Sequence, residues 1–425
     1  MTETPALRAP ARERGSRRTG LVVAGVGAVA FVALAAALVP WHPVPGGVPE
    51  PADPTTVLSA EQIARGEALG AYSRAVSWSS LAVSSLVALW LGLGRRGAAL
   101  VRRLPGPWWV QVPLAVLALA VIGRVVTLPF GIALWRRRVT EGLSTQGWGD
   151  YLRDVATGVG VGVVGTSVVL LVVVACARRW RRAWPAVAAG LAAVLVGLGS
   201  FAYPVLVEPL SNDFTPLPEG GLRTQIEEVA AAEGVPVDDV LVADASRRTT
   251  TLNAYVSGLG GTRRVVLYDT AVEALPREAL LSVVAHELAH AKNHDVAVGT
   301  GLGAAGAVVG VGLLAALVGT PALRRRGGSS GMADPAVVPL VLALFAVGSF
   351  LAAPVQNGIS RQVERRADVV ALRTTDDPEA LVALQRELAV RAATDPTPSA
   401  WGLLWFGSHP TTMERIAVAR EWDGG

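Results

Sequence analysis

Seven stretches of the chain are apolar almost without interruption, at about 21–39, 76–93, 110–135, 155–177, 184–207, 297–319 and 335–353. Each approaches or exceeds the ~20 residues that a helix needs to cross the hydrocarbon core of a bilayer. Between the fifth and sixth the rhythm changes. A turn-rich linker, Ser211 to Gly221, leads into an amphipathic stretch from Leu222 to Glu233. Two β-rich runs follow, Thr249–Val256 and Arg263–Tyr268, joined by the turn signal Ser257-Gly258-Leu259-Gly260-Gly261. Pro276 to Asp295 then reads as a helix, with Ala279, Leu280, Val283, Val284 and Leu288 on one broad apolar face. A second polar segment runs from about 354 to the end. The pattern predicts a mainly α membrane protein, a seven-transmembrane-helix bundle that carries one split soluble domain. Its parts are a disordered basic N-terminus (1–20), five spans with their loops (21–207), a first polar segment (208–296), spans six and seven (297–353) and a second polar segment (354–425). The first span follows Arg17 and Arg18 as a signal peptide would. It is longer than a cleavable apolar core and no A-x-A site follows, so it reads as an uncleaved anchor.

Composition narrows the class. Charged residues make up 17% of the chain and apolar ones 51%, whereas a soluble domain carries about a quarter charged. Much of the surface therefore faces lipid, and a disordered chain is excluded. Gly and Pro show no three-residue period, which excludes collagen. Cys176 stands alone, so no internal disulfide forms; it reads as a small apolar residue near the end of a span. The formal charge of +4 comes from arginines that flank the apolar runs, such as Arg95, Arg96 and Arg178 to Arg182. Basic residues in those places set membrane topology and do not form a nucleic-acid face. Gly160-Val-Gly162-Val-Val-Gly165 and Gly301-Leu-Gly303-Ala-Ala-Gly306 fit G-x-G-x-x-G, but neither follows a strand. Close helix packing is the expected reason for them, and no nucleotide site is expected.

The chemistry lies in the polar segments. His286-Glu287-Leu288-Ala289-His290 is H-E-x-x-H, in a chain with only 5 His. A spacing of four puts both imidazoles on one helix face, a turn apart, where both can reach one Zn²⁺. Glu287 lies beside that face, placed to take a proton from a water held there. A hydrolytic zinc site needs a third protein ligand. His294 is eight residues from His286, about 12 Å of helix rise, too far for bonds of about 2 Å from one straight helix. Glu364 in Glu364-Arg365-Arg366-Ala367-Asp368 is the better ligand, because two more spans return the chain to the same side. Asp368 could accept the free ring N–H of a ligand histidine. A β-rich edge near the histidine helix could take an extended peptide by strand addition. Asn253 or His409 could steady the oxyanion.

These motifs together resemble the integral-membrane CAAX prenyl endopeptidase family of zinc metalloproteases. The resemblance rests on HELAH, on ERRAD after two further spans and on Ser408-His409-Pro410. It rests also on Asn253 to Gly258 and on Val265 to Thr270. Upstream it takes in Ser59 to Ala64, Leu128-Pro129-Phe130 and Gly142 to Gln146, and so runs from about residue 55 to 420. It implies a zincin-like catalytic domain, split α+β, that caps a seven-helix bundle enclosing a large chamber. His286, His290 and Glu364 would be the ligands of one zinc, Glu287 the general base and Asp368 a supporting carboxylate. Asn253 and His409 would sit near the substrate. That substrate would be a peptide or protein segment, prenylated in a dedicated CAAX protease or unprenylated in a protease that clears damaged membrane proteins. The competing class, a non-catalytic transporter or receptor, should show repeated halves, and the sequence has no such symmetry. Arg124, well inside the third span, would either line a polar chamber or pair with helix carbonyls.

Arginine placement gives an orientation for a cell-membrane protein. Sixteen arginines lie in the loops and flank on the N-terminal side, and six on the other: Arg65, Arg74, Arg136, Arg137, Arg138 and Arg153. The bias predicts a cytoplasmic N-terminus and an extracytoplasmic catalytic side. Eukaryotic members of the family are understood to place catalysis in the cytosol, so resemblance and charge point opposite ways.

Overall fold

The computed structural model describes residues 11–210, 212–258 and 262–423. The first helix, α1, runs from Ala11 to Leu38, then α2 from Ala60 to Leu93, the short α3 from Arg95 to Arg102 and α4 from Trp108 to Thr140. Next come α5 (Trp148–Arg179) and α6 (Trp184–Leu206). The first polar segment forms β1 (Phe214–Pro216), α7 (Gly221–Glu233), β2 (Asp239–Ala243), β3 (Ala254–Ser257), β4 (Arg264–Tyr268), α8 (Asp269–Ala274) and α9 (Arg277–Lys292). α10 (Asp295–Val318), α11 (Pro321–Gly327) and α12 (Val338–Thr375) return through the bundle. α13 (Pro378–Ala392), α14 (Ala400–Phe406) and α15 (Thr412–Arg420) complete the described chain.

Seven of these helices, α1, α2, α4, α5, α6, α10 and α12, are long and apolar enough to cross a membrane. Large apolar side chains stand outward on them, with Val29 71%, Val205 70% and Phe345 71% exposed. Such a surface suits lipid. Arg124 is exposed midway along α4.

Two expectations need correction. The polar N-terminus does not stay disordered up to residue 20. The α1 helix begins at Ala11 and carries Arg17 and Arg18 within it, while residues 1–10 lie outside the described part. Arginine is a good helix former, so an apolar helix extends readily into such a flank. The G-x-G-x-x-G glycines also do not serve close packing. Gly160, Gly162, Gly165, Gly301 and Gly306 have open space where a Cβ would stand, and Gly303 only an ordinary contact. The tight crossing lies between α1 and α10 instead. A Cβ added to Gly312 would fall 2.4 Å from the Ala24 nitrogen, and one at Gly20 would fall 2.8 Å from the Gly312 carbonyl oxygen. Small residues let these backbones touch.

The soluble domain is built around a four-stranded sheet of order β1-β2-β4-β3. β1 pairs antiparallel with β2, β2 pairs parallel with β4, and β3 closes one edge antiparallel to β4, with Ala254 opposite Leu267. Val240, Val265 and Leu267 point to one face, where they pack with Ile226 of α7 and Leu280, Val284 and Leu288 of α9. The β-rich run expected from Thr249 enters the sheet only at Ala254. Before that, the Thr250 hydroxyl donates to the Gly142 carbonyl (2.8 Å) and the Thr249 hydroxyl to that of Leu143 (3.2 Å). Threonine hydroxyls thus compete with the ladder and tie the sheet to the loop between α4 and α5. The following turn lies partly outside the described residues.

The two polar segments meet through α12. This single helix of 38 residues starts among Leu340, Val341 and Ala343 in the bundle core and ends beside α9. The α2 helix is tied to the same end by an ion pair between Arg74 and Asp395 and one between Arg65 and Glu141. At the opposite end of the bundle the arginine-rich connections meet. Arg102 donates to the Gly328 carbonyl, and Arg178 to that of Ala333 (2.8 Å).

Candidate metal centre and active site

Helix α9 is the scaffold of the site. Pro276 precedes it with an extended backbone and Glu278 sits in its first turn, where a carboxylate suits the helix dipole. Ala279, Leu280, Val284 and Leu288 are buried and Val283 half-buried, as the apolar face predicts, and Ser282, Ala285 and His286 are buried as well. The helix is therefore held nearly all round. It stops at His294, whose backbone is left-handed (φ 55°), and α10 starts afresh at Asp295. His294 is exposed and serves as the joint between two helices.

One ligand atom from each of His286, His290 and Glu364 lies within 4.8 Å of the others. His286 Nε2 is 3.3 Å from His290 Nε2 and 3.3 Å from Glu364 Oε2, and His290 Nε2 is 3.7 Å from Glu364 Oε1. The two rings stand nearly perpendicular (87°). Behind them, His286 Nδ1 faces Asp368 Oδ1 at 3.0 Å and His290 Nδ1 faces Asp295 Oδ2 at 2.8 Å. Each carboxylate accepts the ring N–H and turns the Nε2 lone pair of its histidine toward the cluster. Glu364 Oε2 is buried and has no hydrogen-bond donor. Two imidazole lone pairs and an orphaned carboxylate oxygen converging on one point is a donor set that suits a divalent cation.

The electrostatics agree. Burial alone would lower the His286 pKa. The adjacent Asp368 and Glu364 carboxylates outweigh it, so that without a metal the imidazolium persists up to about 10. Glu287 is pushed upward by burial, with Glu364 adding to the rise and His286 and His290 pulling against it. His409 Nε2 lies 3.5 Å from Glu364 Oε2, on an exposed ring whose Nδ1 is 2.9 Å from the Ser408 hydroxyl. Its loop is held by Arg361 of α12, which donates to the carbonyls of Leu403 (3.1 Å) and Gly407 (2.6 Å). Asn253 is exposed at the head of edge strand β3, where its carbonyl accepts the Tyr268 N–H at 3.0 Å. No hydrogen bond joins it to the histidine cluster among the described residues.

Three participants escaped sequence reasoning. Arg415 on α15 is buried, donating from Nε to Asp368 Oδ2 at 2.9 Å, with Nη2 3.3 Å from His286 Nδ1. Arg366 pairs with Asp295. Arg366 stands inside the quoted ERRAD motif and Asp295 directly follows the metal helix, so position could have flagged both. Arg415 carries no local signal beyond following Ser408-His409-Pro410 by a few residues.

An H-E-x-x-H helix and a glutamate from a membrane-crossing helix, gathered under a sheet edge, define a metalloprotease embedded in a multi-pass bundle. Comparisons with known proteins agree. The model of peptidase family M48 matches residues 216–423. An uncharacterized metalloprotease, YhfN, of Bacillus subtilis is 30% identical over 72% of this chain and 72% of its own length. The chain therefore belongs to peptidase family M48, in the group of CAAX prenyl endopeptidase metalloproteases. The rice CAAX prenyl protease 1 homolog is 36% identical, with a match spanning about half of each chain (52%). The crystal structure of S. mikatae Ste24p superimposes with a TM-score of 0.76 at 19% identity, over 95% of this chain and 99% of that one, and so shares the fold.

Proposed function

We propose that the protein is a zinc endopeptidase whose metal is held by His286, His290 and Glu364 and whose general base is Glu287. The convergence of those three donor atoms within 4.8 Å carries the proposal. A Zn²⁺ there would supply Lewis acidity, polarising the scissile carbonyl and acidifying a nearby water. The protein's own groups do the rest. Glu287, half-buried and with a raised pKa, takes the proton of the attacking water and returns it to the leaving amine. His409 points a ring nitrogen into the cluster and donates to the oxyanion. Edge strand β3 receives the substrate backbone as an added strand, and Asn253 at its head fixes the register. Asp368 holds His286 in the tautomer that presents Nε2. Glu287→Gln should keep one zinc per chain and lose peptide hydrolysis by at least a hundredfold. Unchanged hydrolysis by that variant would remove Glu287 from the mechanism.

The substrate is a peptide or protein segment that reaches the site from the membrane. The rice relative is named a CAAX prenyl protease 1 homolog. Turnover of one peptide with and without a farnesyl group decides the point, and equal rates would argue against a dedicated CAAX protease. For a protein of the cell membrane, the arginine bias favours a catalytic end outside the cytoplasm. Labelling of Ser408→Cys in a Cys176→Ala background should succeed on intact cells. Labelling only after permeabilisation would reverse the orientation.

A further inference from the structure

A cavity of about 80 Å³ opens beside the catalytic glutamate, between the end of β3 and the joint from α9 to α10. Val256, Arg263, Glu287, His290, His294 and Ala297 are among its lining residues. The strand proposed to receive the substrate backbone contributes Val256, so a side chain of a bound peptide is carried into this space. It has room for several waters or a short polar side chain. Its chemistry is one-sided. Arg263 brings a permanent positive charge and His294 a ring that offers an N–H in either charge state. Of the two carboxylates nearby, Asp295 is engaged by His290 and by Arg366. Glu287 faces the reacting bond. The walls between them are Val256, Ala291, Val296 and Ala297.

The geometry points to a specificity subsite in which Arg263, assisted by His294, binds a carboxylate of the substrate next to the scissile bond. This rests on the peptidase reading above and adds the substrate class, peptides with an acidic group within a residue or two of the cut. An Asp or Glu side chain and a free C-terminus present the same group, and both suit a bidentate guanidinium.

The test uses zinc-loaded full-length protein and one cleavable peptide with Asp or Asn at each position flanking the bond, plus a C-terminal acid and amide pair. The wild type should favour the acidic member at one position by about tenfold in kcat/KM, carried mainly in KM. Preference at an internal Asp identifies the side chain as source, and preference for the free acid identifies the C-terminus. Arg263→Gln should bring that ratio to about one and Arg263→Lys should restore part of it, at unchanged zinc content. Equal rates for every pair, or a ratio untouched in Arg263→Gln, would overturn the subsite. If no peptide is cleaved, the peptidase reading is what fails, and binding decides the subsite. In Glu287→Gln protein the acidic peptide should still bind about tenfold more tightly than the neutral one, and adding Arg263→Gln should abolish the difference. Equal binding would sink it.

Discussion

The two histidines of α9 are each backed by a carboxylate and then by an arginine, yet the two relays are assembled differently. His286, Asp368 and Arg415 come from three separate helices and meet in the interior, with Asp368 2% and Arg415 10% exposed. His290 and Asp295 are five residues apart across the α9–α10 joint, and Arg366 completes the set nearer the surface, with His290 and Arg366 each 21% exposed. The inner relay is thus a tertiary device that forms only when α9, α12 and α15 are packed together. The outer one is largely local. A charge in the interior has no water to fall back on, so each member of the inner relay depends on the others.

Cutting each relay at its arginine gives the largest contrast. Arg415→Gln leaves the Asp368 charge buried beside a single histidine and should destabilise the metal-free protein by about 3–5 kcal/mol. Arg366→Gln should cost about 1 kcal/mol, because water can reach Asp295 more readily. Thermal unfolding of the two variants in detergent checks this, and similar losses would show that burial is not what separates the relays.

A buried carboxylate with no relay sharpens the same comparison. Glu233, at the end of α7, is 4% exposed and neither oxygen has a hydrogen-bond partner. The nearby Thr374 hydroxyl donates instead to the Val370 carbonyl at 3.0 Å. Burial pushes the Glu233 carboxyl up to about 7, against the lowering pull of the Lys292 charge. Since the native state holds this proton more tightly than the unfolded chain, stability from this group is full below about 4.5 and is lost as pH rises through about 7. Glu233→Gln should therefore stabilise the protein at pH 8 by about 2–3 kcal/mol and leave it nearly unchanged at pH 5. Melting curves at the two pH values decide it.

The smallest contrast lies in metal affinity. Asp368→Asn should weaken zinc binding about 10- to 100-fold, and Asp295→Asn by the lower figure or less. The proton on metal-free His286 must leave before Nε2 can bind a metal. Apparent affinity should therefore rise with pH across the neutral range, by about tenfold per unit. The Asp368→Asn protein should show a shallower slope, because the group that holds the proton is gone. Competition against a chelator at several pH values measures both effects.

The spans, the histidine helix and the approach of Glu364 to it were legible because each has a one-dimensional signature: length of apolar run, spacing of four, or a motif after a counted pair of crossings. The sheet was half legible. β4 carries a run of Val265, Val266 and Leu267 and β3 the pair Tyr255 and Val256, whereas β1 is three residues long with a proline and β2 is five residues beginning with aspartate. Thr249 and Thr250 have the composition of a strand but spend their hydroxyls on another loop. Arg415 was invisible for the same reason that it matters. Its partner stands 47 residues away on a different helix, and no local pattern records such a meeting.

Helix α12 has a mechanical side as well. Val338 and Glu364 are separated by 26 residues of one helix, an arm of about 40 Å with Pro354 inside it. A rotation of only about 3° at the bundle end would swing the glutamate by about 2 Å, the whole length of a metal–oxygen bond. The precision of the centre is therefore borrowed from the seating of a membrane helix. Its bearings are α2 along the bundle and α9 and α14 at the catalytic end. A bilayer thick or thin enough to tilt that arm would detune the enzyme without touching one residue of its site.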